Sequence, residues 1–234
     1  MIPLRDTIRS RHFPVMNWLL LIVNALVFFY ELSLGTAALN QFINTYALVP
    51  ARLQSAQPIF IVSLITSLFL HGGWFHFLSN MWILFIFGDN VEDRMGSIAY
   101  LFFYLMSGVA ASLLQTFVEP FSTLPTIGAS GAIAGVLGAY ILLYPAARVL
   151  TLIPVFIFPW FVEIPAFFYL GFWFLSQLFS GFVSLEGGMS GVAWWAHIGG
   201  FLFGLVLSRF FISRPPPPPR ATYYQVPNVY RDEW

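Results

Sequence analysis

Residues 126–135 read TIGASGAIAG, and one hydroxyl, Ser130, stands among glycines and alanines at the start of an apolar run that reaches Tyr144. A serine there is either a small packing residue, of the kind that lets membrane helices approach closely, or a nucleophile waiting for a base. The chain holds four histidines that could serve as that base: His12, His71, His76 and His197. His12 precedes the first apolar run and reads as solvated. His71 sits at a helix break, in HGG, and reads as structural. His197, in AHIGG, is either bonded to a backbone carbonyl or a base with an ordinary pKa near neutrality. His76 and Asn80, in HFLSN, are four residues apart and share one helix face. They either bridge helices or aim two donors at a common spot.

Other chemistries fit poorly. There is no cysteine, so thiolate nucleophiles, disulfides and thiolate metal sites are excluded together. HGGWFH spaces two histidines at i and i+5 without a glutamate, unlike the zinc motif with histidines at i and i+4, so neither metal nor cofactor is expected. Asp89, Glu92 and Asp93 lie about 20 Å along a helix from His76, too far to form an acidic pair with groups near it.

These side chains must be positioned by helices in lipid. The chain is 59% hydrophobic and only 9% charged, an apolar excess that a core of 234 residues cannot hide. A span needs about 20 mostly apolar residues. Six segments approximate this: 16–34, 74–90, 98–118, 128–145, 160–182 and 192–212. Residues 58–70 are too short to cross and read as a re-entrant or interfacial helix, cut off from the second span by Gly72-Gly73. The expected fold is an all-α polytopic membrane protein with six transmembrane helices and a partly membrane-embedded first loop.

All ten basic residues are arginines, and with the N-terminus inside only Arg52 lies outside. That asymmetry places both termini in the cytoplasm. Spans two, four and six then run from outside to inside, and His76, Asn80, Ser130 and His197 share the outer third of the bilayer. Gly131, Gly135 and Gly138 make a small face on span four, and Gly200 and Gly204 make another on span six. Close approach of those faces would bring Ser130 beside His197, so the packing and the chemical readings support each other. Residues 1–15 read as a cytoplasmic N-terminus and 16–212 as the membrane domain. Residues 213–234, with RPPPPPR, read as a solvated extended tail. A docking peptide for a proline- or tyrosine-reading partner is the alternative. Zero formal net charge gives a nucleic-acid partner no electrostatic support.

Taken together, GASGA (128–132), HFLSN (76–80) and AHIGG (196–200) resemble the rhomboid intramembrane serine proteases. Gly88, Glu92 and Gly96 in GDNVEDRMG are similar to that family's turn after span two. The tryptophan–arginine pair of many members' first loop is absent from 35–72. The resemblance implies a rhomboid-like bundle, with Ser130 as nucleophile and His197 as general base. It also implies an oxyanion hole of His76, Asn80 and the Ser130 backbone N–H. No carboxylate is placed to orient His197, since Glu119 and Glu186 fall in outer loops, so a dyad with its ring held by packing is expected. The glycine-rich stretch 180–191 is expected to form a mobile cover. Transmembrane proteins whose spans unwind near their outer ends are the expected substrates, membrane lipid the surroundings, and a bacterial inner membrane the expected location. The competing reading is an inactive rhomboid-like protein that binds or routes membrane clients.

Overall fold

The computed structural model describes residues 1–156, 158–185, 191–213 and 215. The chain is mostly helical: α1 (Val15–Ser33), α2 (Thr36–Tyr46), α3 (Ala51–Gln54), α4 (Ile59–Thr66, continued by a 3-10 turn at Ser67–Phe69), α5 (Trp74–Met95), α6 (Ser97–Val118), α7 (Ser130–Leu143), α8 (Ala166–Leu185) and α9 (Trp194–Leu207). Helices α1, α6 and α8 are long and apolar enough to cross a membrane. The α4 segment and α5 make a fourth candidate, bent by 79° at the expected break, where Gly73 takes φ +145°. Helix α7 is apolar but shorter, with 14 residues. Six of these helices fall on the six segments picked out by hydropathy.

To the expected all-helical architecture the structure adds a three-stranded antiparallel sheet. Strands β1 (Ile2–Asp6), β2 (Arg148–Val155) and β3 (Phe158–Pro165) are ordered β1-β2-β3. The fifth apolar segment, expected as helix from residue 160, is therefore strand as far as Pro165. Its composition accounts for this. Pro154, Pro159 and Pro165 would each break a helix interior, while the intervening valines, isoleucines and aromatics suit a strand. Residues 2–6, within the segment read as a cytoplasmic N-terminus, pair with β2, with Asp6 opposite Val149. Most of the proline-rich tail, 213–234, lies outside the described residues.

Polar groups tie the helix ends together opposite the candidate site. Glu92 accepts from the backbone N–H groups of Met16 (3.1 Å) and Asn17 (2.7 Å) and from the Ser97 hydroxyl (2.6 Å). One carboxylate on α5 thus caps the start of α1 and holds the side chain of the first residue of α6. Gly96 turns the chain between α5 and α6 with φ +81°. Gly88 lets Asn17 in, since a Cβ there would lie 2.1 Å from Asn17 Oδ1.

The tightest packing is between α7 and α9. A Cβ on Gly200 would lie 1.9 Å from the Gly131 carbonyl oxygen, and one on Gly204 would lie 1.9 Å from that of Gly135. A Cβ on Gly138 would lie 2.2 Å from the Phe201 carbonyl oxygen. Backbone meets backbone, so no side chain can move aside. Gly204→Ala is expected to cost about 1–3 kcal/mol by overpacking, read as a lowered unfolding temperature in detergent. Gly171→Ala, with nothing within 4 Å of the added carbon, is expected to leave that temperature unchanged.

Candidate active site

The α7–α9 seam places Ser130 Oγ 2.8 Å from His197 Nε2. Ser130 is the first residue of α7, and the chain reaches it through Gly128, whose φ of +124° favours glycine. The Gly128 N–H donates to the Ser67 carbonyl at 2.9 Å, which anchors this approach to the end of the α4 segment. His197 lies in the first turn of α9. The neighbouring Ala196 N–H donates to Gln115 Oε1 on α6 at 3.2 Å, so an amide from a third helix caps α9.

A second amide holds the imidazole. Gln177 on α8, itself buried, sets its Oε1 2.8 Å from His197 Nδ1. Its Nε2 donates to the Trp173 carbonyl (3.2 Å) and to the Ser176 hydroxyl (2.9 Å), which leaves the oxygen turned toward the ring. An amide oxygen can only accept, so Nδ1 carries the proton and the Nε2 lone pair faces Ser130; the assignment follows from the partners. Trp173 and Trp194 flank the ring at centroid distances of 6.0 and 6.1 Å. The ring, expected to be held by packing, is held by a glutamine as well, on the nitrogen turned away from Ser130. The missed signal was a lone amide in the apolar run FWFLSQLF. Amides in such a run are as noteworthy as ionisable groups, because each must find a partner there.

His76 and Asn80 meet Ser130 from α5. His76 Nδ1 accepts from the Gly72 N–H at 3.3 Å, so Nε2 carries the proton. That Nε2 lies hard against Gly128, where a Cβ would sit 2.6 Å away. Asn80 is buried, and its Nδ2 has no hydrogen-bond partner among the described residues. Both side chains line a cavity of about 430 Å³ together with Ser130, Gly131 and His197. At the start of α7 the first backbone N–H groups have no partner within the helix. A hydroxyl that can pass its proton to a held, neutral imidazole is arranged to attack a carbonyl carbon. Donors facing the same space are arranged to receive the negative charge that results.

The remaining candidates are His71, whose ring lies 5.3 Å from that of His76, and the acidic residues at the far end of α5. His71 packs edge-on against Phe28 and Phe77, and its backbone N–H donates to the buried Glu31 carboxylate at 3.2 Å, the structural place that its position in HGG predicts. Glu92 and Asp93 are engaged at the far end of α5. Of the expected cover at 180–191, residues to Leu185 belong to α8 and residues 186–190, Glu186 included, lie outside the described residues.

Comparison with known proteins gives a consistent set of likenesses. Residues 60–214 match the family described as the Rhomboid domain. The chain is 31% identical over 157 residues to Rhomboid protein 1, mitochondrial, of Saccharomyces cerevisiae, covering 65% of this chain and 42% of that protein. It is 32% identical over 153 residues to RHOMBOID-like protein 1 of Arabidopsis thaliana, covering 65% of this chain and 35% of that protein. It is 41% identical over 83 residues to Rhomboid protease GluP of Bacillus subtilis, covering 36% of this chain and 15% of that protein. The chain thus spans less than half the length of these curated relatives.

The Ser130–His197–Gln177 relay can be tested without a substrate. A fluorophosphonate is expected to label Ser130, with the adduct located by mass spectrometry. Gln177→Leu is expected to slow labelling about 10–100-fold, the effect of losing about 1–3 kcal/mol of hydrogen bonding. Gln177→Glu keeps an acceptor facing Nδ1 and is expected to retain most of the rate.

Proposed function

The chain belongs to the rhomboid family, and we propose that it is an intramembrane serine endopeptidase working through a Ser130–His197 dyad. Apolar helices and family membership make it an integral membrane protein. The finer reading has six crossings, both termini in the cytoplasm and the dyad in the outer third of the bilayer. One observation carries the catalytic reading: the 2.8 Å contact between Ser130 Oγ and a histidine whose other nitrogen is already held.

In the proposed reaction His197 Nε2 takes the hydroxyl proton as Ser130 Oγ bonds to the scissile carbonyl carbon. The carbonyl π electrons move to oxygen. That oxyanion is received by His76 Nε2–H, Asn80 Nδ2–H and the Ser130 backbone N–H, with the N-terminal dipole of α7 adding to their effect. The C–N bond then breaks, and the leaving amine takes the proton from His197. Water, deprotonated by the same nitrogen, releases the acyl group and restores Ser130. Gln177 acts on the ring and not on the substrate; it is a positioning residue that keeps Nε2 aimed at Ser130.

Family membership and the chemistry of a helical substrate support the proposed substrate class. A peptide carbonyl must lie within about 3 Å of Ser130 Oγ with its hydrogen bonds open. A helix keeps those carbonyls bonded. Substrates are therefore membrane proteins whose spans unwind readily near one end. The matched relatives come from a yeast, a plant and a bacterium and the yeast protein is mitochondrial, so the expected bacterial inner membrane gains no support from them.

Purified protein reconstituted with a fluorescent transmembrane substrate is expected to cleave it. Ser130→Ala and His197→Ala should each abolish cleavage, with unfolding temperatures close to wild type. Asn80→Ala is expected to lower kcat by about 10²–10³. Equal cleavage by wild type and Ser130→Ala would remove the nucleophile and leave a client-binding role instead.

A further inference from the structure

Between Arg148 and Glu163 the sequence carries no charge, yet the β2–β3 hairpin formed there is poorly covered by protein. Phe156 at its turn is 97% exposed, and Phe158, Trp160 and Phe161 are also exposed. Phe156 adopts φ +53°, a conformation that hairpin turns usually assign to Asn or Gly. A bulky apolar residue held there, facing away from the protein, would be an aggregation hazard in water.

The hairpin's direction resolves this. Trp82 Nε1 on α5 donates to the Pro3 carbonyl at 2.6 Å, and Asn90 Nδ2 on the same helix donates to Asp6 Oδ2 at 2.8 Å. From Trp82 to Asn90 is about 12 Å of helix, and from Pro3 to Asp6 is about 10 Å of strand. Strand β1 therefore runs back alongside α5. Strand β2 follows it, with Val149 opposite Asp6 and Leu152 opposite Ile2. The tip continues three residues past Leu152, about 10 Å further in the same direction. Because α5 belongs to a candidate span, a hairpin lying along it occupies the depth of the bilayer and not the water beyond it. Its base joins α8 directly, whose Phe167, Phe168 and Phe172 are exposed, so hairpin and helix present one continuous apolar surface.

An open sheet edge in hydrocarbon is costly because its N–H and C=O groups find no partner. Here the prolines remove most of the N–H groups, and the outward carbonyls remain. Pro154 faces Pro159, a pair that can exchange no N–H···O bond. Counting alternately from Pro159, the residues of β3 that direct backbone groups away from β2 are Pro159, Phe161, Glu163 and Pro165. Two of these four have no N–H, and Glu163 lies near the base. Beyond the end of β1, the β2 residue with outward backbone groups is Pro154, which also has none. Phe161 is left as the one such residue of β3 beyond Glu163 that still carries an outward donor.

From this geometry we infer that the β2–β3 hairpin, residues 149–156 and 158–162, is embedded in lipid, seated in the acyl chains beside α5 and α8. Its partner is bilayer hydrocarbon, and the inference holds whether or not Ser130 is a nucleophile. The absence of cysteine makes the test clean. Phe156→Cys and Phe158→Cys, each spin-labelled in the full chain and reconstituted into phosphatidylcholine vesicles, are compared with Phe168→Cys on α8 and with Gln54→Cys, exposed in α3. The expected result is that labels at 156 and 158 collide with oxygen far more than with a nickel chelate, as at 168, with a ratio several-fold above that at 54. Should one label distort the hairpin, the other reports alone. Quenching by nitroxide lipids of the emission that Trp160→Phe removes then gives an unlabelled check. Nickel-chelate collisions as frequent as at 54 would overturn the inference in favour of a water-facing surface. Exclusion of both reagents with dipolar coupling between labels would overturn it in favour of contact with a second copy.

Discussion

The closeness of two helix backbones governs this molecule. Along the α7–α9 seam there is no room for a single methyl group at Gly200 or Gly204, since carbonyl oxygens of α7 occupy the places their β-carbons would take. In lipid, helices gain little from hiding apolar side chains, and close backbone packing supplies much of the attraction. The same approach puts the hydroxyl at the start of α7 within hydrogen-bonding reach of the imidazole in the first turn of α9. A looser pair of helices would part those atoms by more than a hydrogen bond can span. Structural glycine and the serine–histidine contact are thus consequences of one constraint.

A second theme is the supply of partners to polar atoms where water is scarce. Glu92 gathers helix starts at one end of the bundle. Asp6 accepts from both Asn90 and Tyr140. Nearer the candidate site, amides replace charges: Gln115 caps α9 and Gln177 holds the His197 ring. An amide orients an imidazole without bringing a buried negative charge that would itself need a counter-ion. Among the described residues a few buried polar atoms stay without a partner, and one of them, Asn80 Nδ2, belongs to a residue that lines the cavity. A donor left open beside a hydroxyl–imidazole pair is the kind of local inconsistency that folds tolerate where chemistry happens.

Much of this was legible in the sequence because it depends on spacing along single helices. The small faces at 131, 135 and 138 and at 200 and 204, the shared face of His76 and Asn80, and the break at 71–73 all follow from helical periodicity and glycine chemistry. What was not legible depends on which distant segments meet. Gln177 looks like any isolated amide until α8 is seen beside α9. Hydropathy measures how apolar a segment is and not its backbone shape, so the fifth span was begun at residue 160, inside β3, and Pro165 was the available warning. The N-terminal strand was unreadable for another reason. IPLRD has no alternation strong enough to announce a strand, and its partner lies far along the chain.

That distance bears on how the protein is made. Thr7 and Arg148, which close the base of the sheet, are 141 residues apart in sequence. During translation the β1 segment leaves the ribosome long before β2 exists, so the intervening helices are made while it waits unpaired. Pairing at such separation is slow in chains of any kind. Closure of the sheet is therefore a late event in biogenesis, and the nascent protein passes through a stage in which those helices are made but its N-terminal strand is still open to other company, including chaperones and proteases.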